Sequence, residues 1–325
     1  MSPLNAFKQC ILVVMFFTLA SPMQMWGGYQ SWVGPTGNDS EFCNPAGPCA
    51  SFQGAFYSVI LFNATPTVEV TALNSGSYGG GGLVLNAGEN VAKLFTVDGG
   101  EGNVSCITAQ NIIIGQTGGE NTTYGSGSIV TLRNLTMYGE NFSGPAIQLG
   151  PNSNGLTLII EGCKIYGYTP GSGIGVIDCQ NEANVIIKDT IIEGNNGNAI
   201  MLSTGGTASL SKVAIKNNSG IALYVSDGTT VDISDSVITL NTGPALISSG
   251  ESSVINCVNN IVTSNLAAIG VESSGLVRIS NNDIYNNDLF IDYIDETGEV
   301  ITANNNRTGG NGVSPAPPTG SITIQ

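Results

Sequence analysis

Segments of one eleven-residue pattern recur through most of this chain, and that recurrence limits the fold more than any other feature. Residues 185–195 read VIIKDTIIEGN and residues 231–241 read VDISDSVITLN. Apolar residues hold the first, third and eighth places, and Asn closes the segment. Residues 255–265 and 277–287 follow the same template, while 130–140, 158–168 and 208–218 follow it more loosely. Successive starts lie about 22 to 28 residues apart, a spacing that marks a repeat architecture.

Alternation of apolar and polar residues puts the apolar ones on one side of an extended segment. After the Asn comes a second apolar piece (GNAIML, GIALYV, GPALIS, LAAIGV), then a Gly- and Ser-rich turn. Each unit therefore reads as a strand, a bend and a second strand. A single unit cannot bury its own apolar side, so the units must stack on one another. Parallel stacking places Val130, Leu158, Val185, Ala208, Val231, Ile255 and Val277 in one inward ladder. Leu132, Ile160, Ile187, Leu210, Ile233, Cys257 and Ile279 form the next. Asn195, Asn218, Asn241, Asn265 and Asn287 form a third at the bend, where Asn tolerates left-handed backbone and its amides can bond along the stack. The expected fold is all-β: a single-stranded right-handed parallel β-helix, its hand taken from the crossover preference.

Composition fits a solenoid with many tight turns: 44 Gly and only 10% charged residues in 325. A single periodic pattern predicts one elongated domain over residues 66–306. The net charge of −15, with nine Lys and Arg and no His, argues against nucleic acid, which needs a basic stripe. It also disfavours anionic membranes and is compatible with neutral sugars, with cations or simply with solubility.

Residues 1–27 read as a signal peptide, with Lys8 before an apolar run and small residues around Thr18 and Ala20. The run is too short to span a bilayer; a buried N-terminal strand is the alternative reading. Secretion, or display at the cell surface without a membrane span, is the expectation. Cys43 and Cys49 close a short loop and are the disulfide candidates for an oxidising compartment. Cys257 falls on an inner ladder, and no Cys or His spacing suggests a metal site. Residues 28–65 form an N-terminal cap, in which Phe52, Ala55, Phe56, Val59 and Ile60 recur at helical spacing after Ser51 as N-cap. Such a helix would cover the open end of the solenoid. Residues 307–325 are a C-terminal tail or second cap.

The N-terminal segment carries Trp32-Val33-Gly34-Pro35-Thr36-Gly37-Asn38-Asp39, then Cys43, Pro48-Cys49 and Ser51-Phe52-Gln53-Gly54-Ala55. It resembles the start of exported right-handed parallel β-helix repeat proteins, whose coils residues 175–177 and 281–287 also resemble. The resemblance implies a fold and export, and brings no catalytic residues.

Outward positions are free of packing demands, so function would be written there. One outward row reads Arg133, Glu161, Lys188, Ser211, Ser234, Val258, Ser280; another reads Tyr138, Tyr166, Glu193, Lys216, Thr239, Thr263, Tyr285. Charged and aromatic residues gather on the early regular coils. Tyr138 and Tyr166 beside Arg133, Glu161 and Lys188, with Glu193 and Lys216 further along, would form a platform for a polysaccharide or cell-surface glycan, or for a protein partner. The competing reading is structural: alternating charges and stacked Tyr pairs stabilise neighbouring strands. A polysaccharide lyase is the enzymatic alternative, needing a Lys or Arg base beside carboxylates that hold Ca²⁺. Lys188 with Asp178, Glu161 and Glu193 would fill that role, and only that reading calls for a cofactor. A polygalacturonase-like hydrolase would, by resemblance, need paired Asp, Gly-His-Gly and Arg-x-Lys, and the sequence contains none of them.

Overall fold

The alternation becomes a literal in–out pattern. In the computed structural model, the strand Ala183–Lys188 alternates buried and exposed along its whole length. The structure describes residues 29–39, 43–60, 67–78, 82–85, 94–100, 102, 105–108, 110–115, 127–203, 205–295, 297–313 and 317–321. The expected signal segment, residues 1–27, lies outside them.

Each coil contains three strands, one more than the expected strand–bend–strand. The coil that starts the template has Ala183–Lys188, Ile191–Glu193 and Asn198–Leu202. Strands in the same place on successive coils pair in parallel, giving three faces with twelve, ten and nine strands among the described residues. We call these the first, second and third faces, in the order the chain visits them. The eleven-residue template thus spans two strands and the corner between them. Two short strands read as one because the corner takes only two residues.

Both inner ladders form in the expected register: Leu158 pairs with Val130 and Val185, and Leu210 with Ile187 and Ile233. Their side chains are buried along the entire stack. Left-handed backbone recurs at the first corner at Asn134, Gly162, Asp189, Lys212, Asp235, Asn259 and Asn281. At the second corner it falls on Gly194, Asn217, Leu240, Ser264 and Asn286, one residue before the Asn ladder. This corrects the expectation that the ladder asparagines themselves adopt it. The left-handed residue turns the chain so that the next side chain points inward, and that next residue is the ladder Asn.

The Asn ladder is fully buried from Asn195 to Asn287. The Oδ1 of Asn241 accepts from the backbone N–H and the Nδ2 of Asn218, at 3.1 and 3.0 Å. Its own Nδ2 donates to Asn265 Oδ1 at 2.9 Å and to the Ile215 carbonyl at 3.1 Å. The same bonds repeat at every step up to Asn311. A second amide ladder runs at the first corner, through Asn260, Asn282 and Asn306. Buried polar groups are tolerated only when every donor and acceptor is met, and the stacking of identical residues meets them.

At the N-terminal end the helix Phe52–Ile60, α1, packs on the first coils. Ser51 caps it, its Oγ accepting from the Gly54 N–H at 3.0 Å, while Asp39 accepts from the Ser51 hydroxyl at 2.7 Å. Phe56 meets Phe95 edge-on, centroids 5.2 Å apart, and Phe52 meets Tyr78 in the same way. The side chains of Val59 and Ile60 lie outside the described residues. Cys43 and Cys49 are joined by a disulfide, Cα–Cα 4.9 Å. The first face begins ahead of the helix, because Tyr29–Val33 pairs with Thr67–Ala72. At the other end Arg307–Gly309 and Gly320–Ser321 add to the second and first faces. No helix among the described residues is long and apolar enough to cross a membrane.

Candidate functional site

Register decides which outward side chains meet. Arg133, Glu161 and Lys188 are aligned on the first face. Tyr138, Tyr166, Glu193 and Lys216 are aligned on the second, across the corner at Asn134, Gly162 and Asp189. The expected platform is therefore two strips on adjacent faces.

On the first face the charges pair off. Lys188 Nζ lies 2.5 Å from Glu161 Oε1, and this hydrogen bond holds the lysine above its ordinary pKa. Arg133 is gripped by two carboxylates from earlier coils: Nη2 donates to Glu69 Oε1 at 2.9 Å, and Nε lies 2.9 Å from Asp98 Oδ2, though off the hydrogen-bond direction. Glu69 and Asp98 come from irregular coils, where the template gives no register, so the sequence did not reveal them.

The second face carries a denser array. Tyr138 and Tyr166 stack with centroids 4.9 Å apart and planes 22° apart. Lys164 lies over the Tyr166 ring, 5.1 Å from its centre, and donates to Glu193 at 2.8 Å. Lys216 reaches the other Glu193 oxygen at 3.0 Å. The hydrogen bond from Lys164, then that from Lys216, holds the Glu193 carboxyl below the usual carboxylate range, and Glu193 raises Lys164 in return. The Tyr138 and Tyr166 rings thus cover each other, and Lys164 covers Tyr166, so these faces are occupied within the protein. Lys164 occupies the seventh place of the template, a further outward row whose register was already set by the inner ladders.

Asp178, the remaining carboxylate of the lyase reading, sits on the third face between Gln148 and Met201. It is fully buried. Oδ2 accepts from Gln180 Nε2 at 3.0 Å, whereas Oδ1 lacks a well-formed hydrogen bond. Burial pushes its pKa up, against the opposing pull of Gln180 and the Gly175 amide. A carboxyl with a raised folded-state pKa stabilises the fold fully below its unfolded pKa, and that contribution is lost as pH rises through the folded value. Asp178→Asn should therefore raise the thermal midpoint near neutral pH. The gain should vanish in acid, well below the ordinary carboxylate range; calorimetry at the two pH values measures it.

The lyase candidates consequently face three ways: Lys188 and Glu161 on the first face, Glu193 on the second, Asp178 on the third. Among the described residues no three acidic or Cys side chains come together in a group that could hold a metal ion. Cys163, Cys179 and Cys257 are buried free thiols. Burial pushes Cys163 and Cys257 up to about 12 and Cys179 higher still, so none is a nucleophile at neutral pH.

The family model described as "right handed beta helix region" matches residues 121–289, over half of the chain. The chain belongs to this family. Among solved structures, this β-helix is similar to that of pectate lyase Pel9A, with a TM-score of 0.51 and 14% identity. The alignment covers 91% of this chain and 79% of that one. It is also similar to GH136 lacto-N-biosidase from Eubacterium ramulus (TM-score 0.41, 12% identity, 91% and 69% covered). A third is the Azotobacter vinelandii mannuronan C-5 epimerase AlgE6 A-module (TM-score 0.39, 12% identity, 90% and 92% covered). At these identities the likeness to the pectate lyase is one of fold. No curated protein matches the sequence of this β-helix.

Proposed function

We propose that this right-handed β-helix is a secreted or surface-exposed, non-catalytic binding protein for polysaccharide, with its contact strip on the second face. The observation that carries the reading is the continuous array of Tyr138, Tyr166, Glu193 and Lys216 on four successive coils. Its groups are spaced by the strand separation, about 4.8 Å, so a linear polymer running along the stack meets a hydroxyl or charge at each step. The two phenol hydroxyls and the Lys164–Glu193–Lys216 trio offer hydrogen bonds to sugar hydroxyls. The disulfide supports an oxidising compartment. A solved neighbour that is a pectate lyase supports a carbohydrate ligand by fold analogy alone.

Binding is favoured over cleavage by the state of the candidate base. A lyase base must lose its proton near neutral pH, and the bond to Glu161 holds Lys188 protonated instead. The test has two arms. On a panel of immobilised polysaccharides, retention of the intact protein should fall at least about tenfold in Tyr138→Ala/Tyr166→Ala, equivalent to about 1.4 kcal/mol. Undiminished retention refutes this strip. Incubation with polygalacturonate and alginate, with and without Ca²⁺, should yield no unsaturated product by ultraviolet absorbance; its appearance refutes the non-catalytic reading.

A further inference from the structure

The chain contains three Asn-Gly steps, at Asn154–Gly155, Asn196–Gly197 and Asn311–Gly312. In such a step the next backbone nitrogen can attack the Asn side-chain carbonyl, because glycine has no Cβ to hinder the approach. The fold treats the three differently. At two of them the attacking nitrogen is already engaged: Gly155 N–H donates to the Glu182 carbonyl at 2.7 Å, and Gly312 N–H to the Asn287 carbonyl at 3.0 Å. The Asn311 carboxamide is fixed as well, with Oδ1 accepting from Asn287 and Nδ2 donating to the Ile284 carbonyl. Both steps must break hydrogen bonds before they can react.

Asn196–Gly197 is the exception. Gly197 N–H makes no hydrogen bond among the described residues, which include its neighbours on both adjacent coils, 168–175 and 219–221. The Asn196 side chain is exposed, and its Oδ1 accepts from the Ser219 hydroxyl at 2.8 Å. Ser219 is itself held on the neighbouring coil, where its N–H donates to the Asn195 carbonyl at 2.9 Å. The hydroxyl therefore draws electron density from Cγ and is placed to stabilise the negative charge that gathers on Oδ1 during attack. A free nucleophile and a polarised carbonyl thus meet at one corner.

We infer that Asn196 is a self-modification site, deamidated by its own chain with water as the only co-reactant. Gly197 N gives up its proton to water and bonds to Asn196 Cγ. The Nδ2 group takes up a proton and leaves as ammonia, which closes a succinimide ring. Water then adds to one of the two ring carbonyls and breaks its bond to the ring nitrogen, giving aspartate or isoaspartate at position 196. Both products carry a new carboxylate at the second corner. The isoaspartate also adds one backbone carbon between the ladder residue Asn195 and the third-face strand Asn198–Leu202. The site is distinct from the second-face strip and stands without it.

Incubation of the folded full chain at mildly alkaline pH, followed by peptide mapping with mass spectrometry, tests the inference. Electron-transfer fragmentation separates aspartate from isoaspartate. Asn196 should convert at least about tenfold faster than Asn154 and Asn311, the factor expected when one hydrogen bond must first be broken. In concentrated urea those bonds are gone, and the three steps should react at similar rates. Ser219→Ala, at an exposed position, should keep the urea midpoint and slow Asn196 in the folded chain at least about threefold. In urea it should have no effect. Equal rates at the three steps in the folded chain overturn the inference, as does an Asn196 that reacts in urea but not when folded. An unchanged folded-state rate in Ser219→Ala overturns the part given to that hydroxyl.

Discussion

Asn241→Leu is expected to lower the unfolding free energy by about 3 to 6 kcal/mol, measured as a shift of the urea midpoint at unchanged slope. The substitution strips both partners from the Asn218 side: the backbone N–H and Nδ2 that now donate to Asn241 Oδ1 lose their acceptor. The Ile215 carbonyl loses its side-chain donor, and Asn265 Oδ1 loses one of two. All of these groups are buried, and each orphaned buried group costs about 1–3 kcal/mol. Leucine is apolar and has the same branched arrangement of four side-chain heavy atoms, so a fold held mainly by apolar packing at this corner would tolerate it. A change near zero would show that the ladder contributes shape and little energy. Because the ladder is continuous, loss of protection in hydrogen exchange should spread to the coils of Asn218 and Asn265 before the ends of the stack respond.

Leu210→Ala is the second large effect, with an expected cost of about 2–5 kcal/mol. Leu210 is fully buried between Ile187 above and Ile233 below in the same register. The core is one coil wide, so no second layer can collapse into the space left by three missing carbons. The cavity touches two coil interfaces at once, which puts the cost in the upper part of that range. Val258→Ala is the matched comparison: Val258 lies on the same face but points outward and is 44% exposed. It should change stability by less than about 0.5 kcal/mol. Equal costs at the two positions would mean that the in–out assignment of the first face is wrong.

The first-face ladders and the outward rows were legible in the sequence because the strand period of two and the coil period of 22 to 28 residues are both visible in the residues. Once Val185, Ala208 and Val231 are aligned, the neighbours of Glu161 and Glu193 follow automatically. The division of the eleven-residue template into two strands was hidden, because a corner of two residues such as Asp189–Thr190 does not break the apolar pattern. The strand after the Asn was read from pieces such as GIALYV, but its row that includes Asp178 and Tyr224 was not indexed. The partners of Arg133 were hidden for another reason: Glu69 and Asp98 belong to coils whose lengths depart from the template. Lys164 was available at the seventh place of its repeat, and tabulating that row would have found it.

Everything above depends on successive coils lying in the register that aligns Ser209 with Asp232. Both are exposed, so cysteines introduced there report register directly. Neighbouring parallel strands lie about 4.8 Å apart, within the range of about 4.4–6.8 Å between Cα atoms that a disulfide spans. The measurement is the rate of disulfide formation in Ser209→Cys/Asp232→Cys against the offset pair Ser209→Cys/Ser234→Cys, mapped by peptide mass spectrometry. The in-register pair should close readily and the offset pair should not; closure of the offset pair at the same rate, or failure of the in-register pair, contradicts the stacked coil.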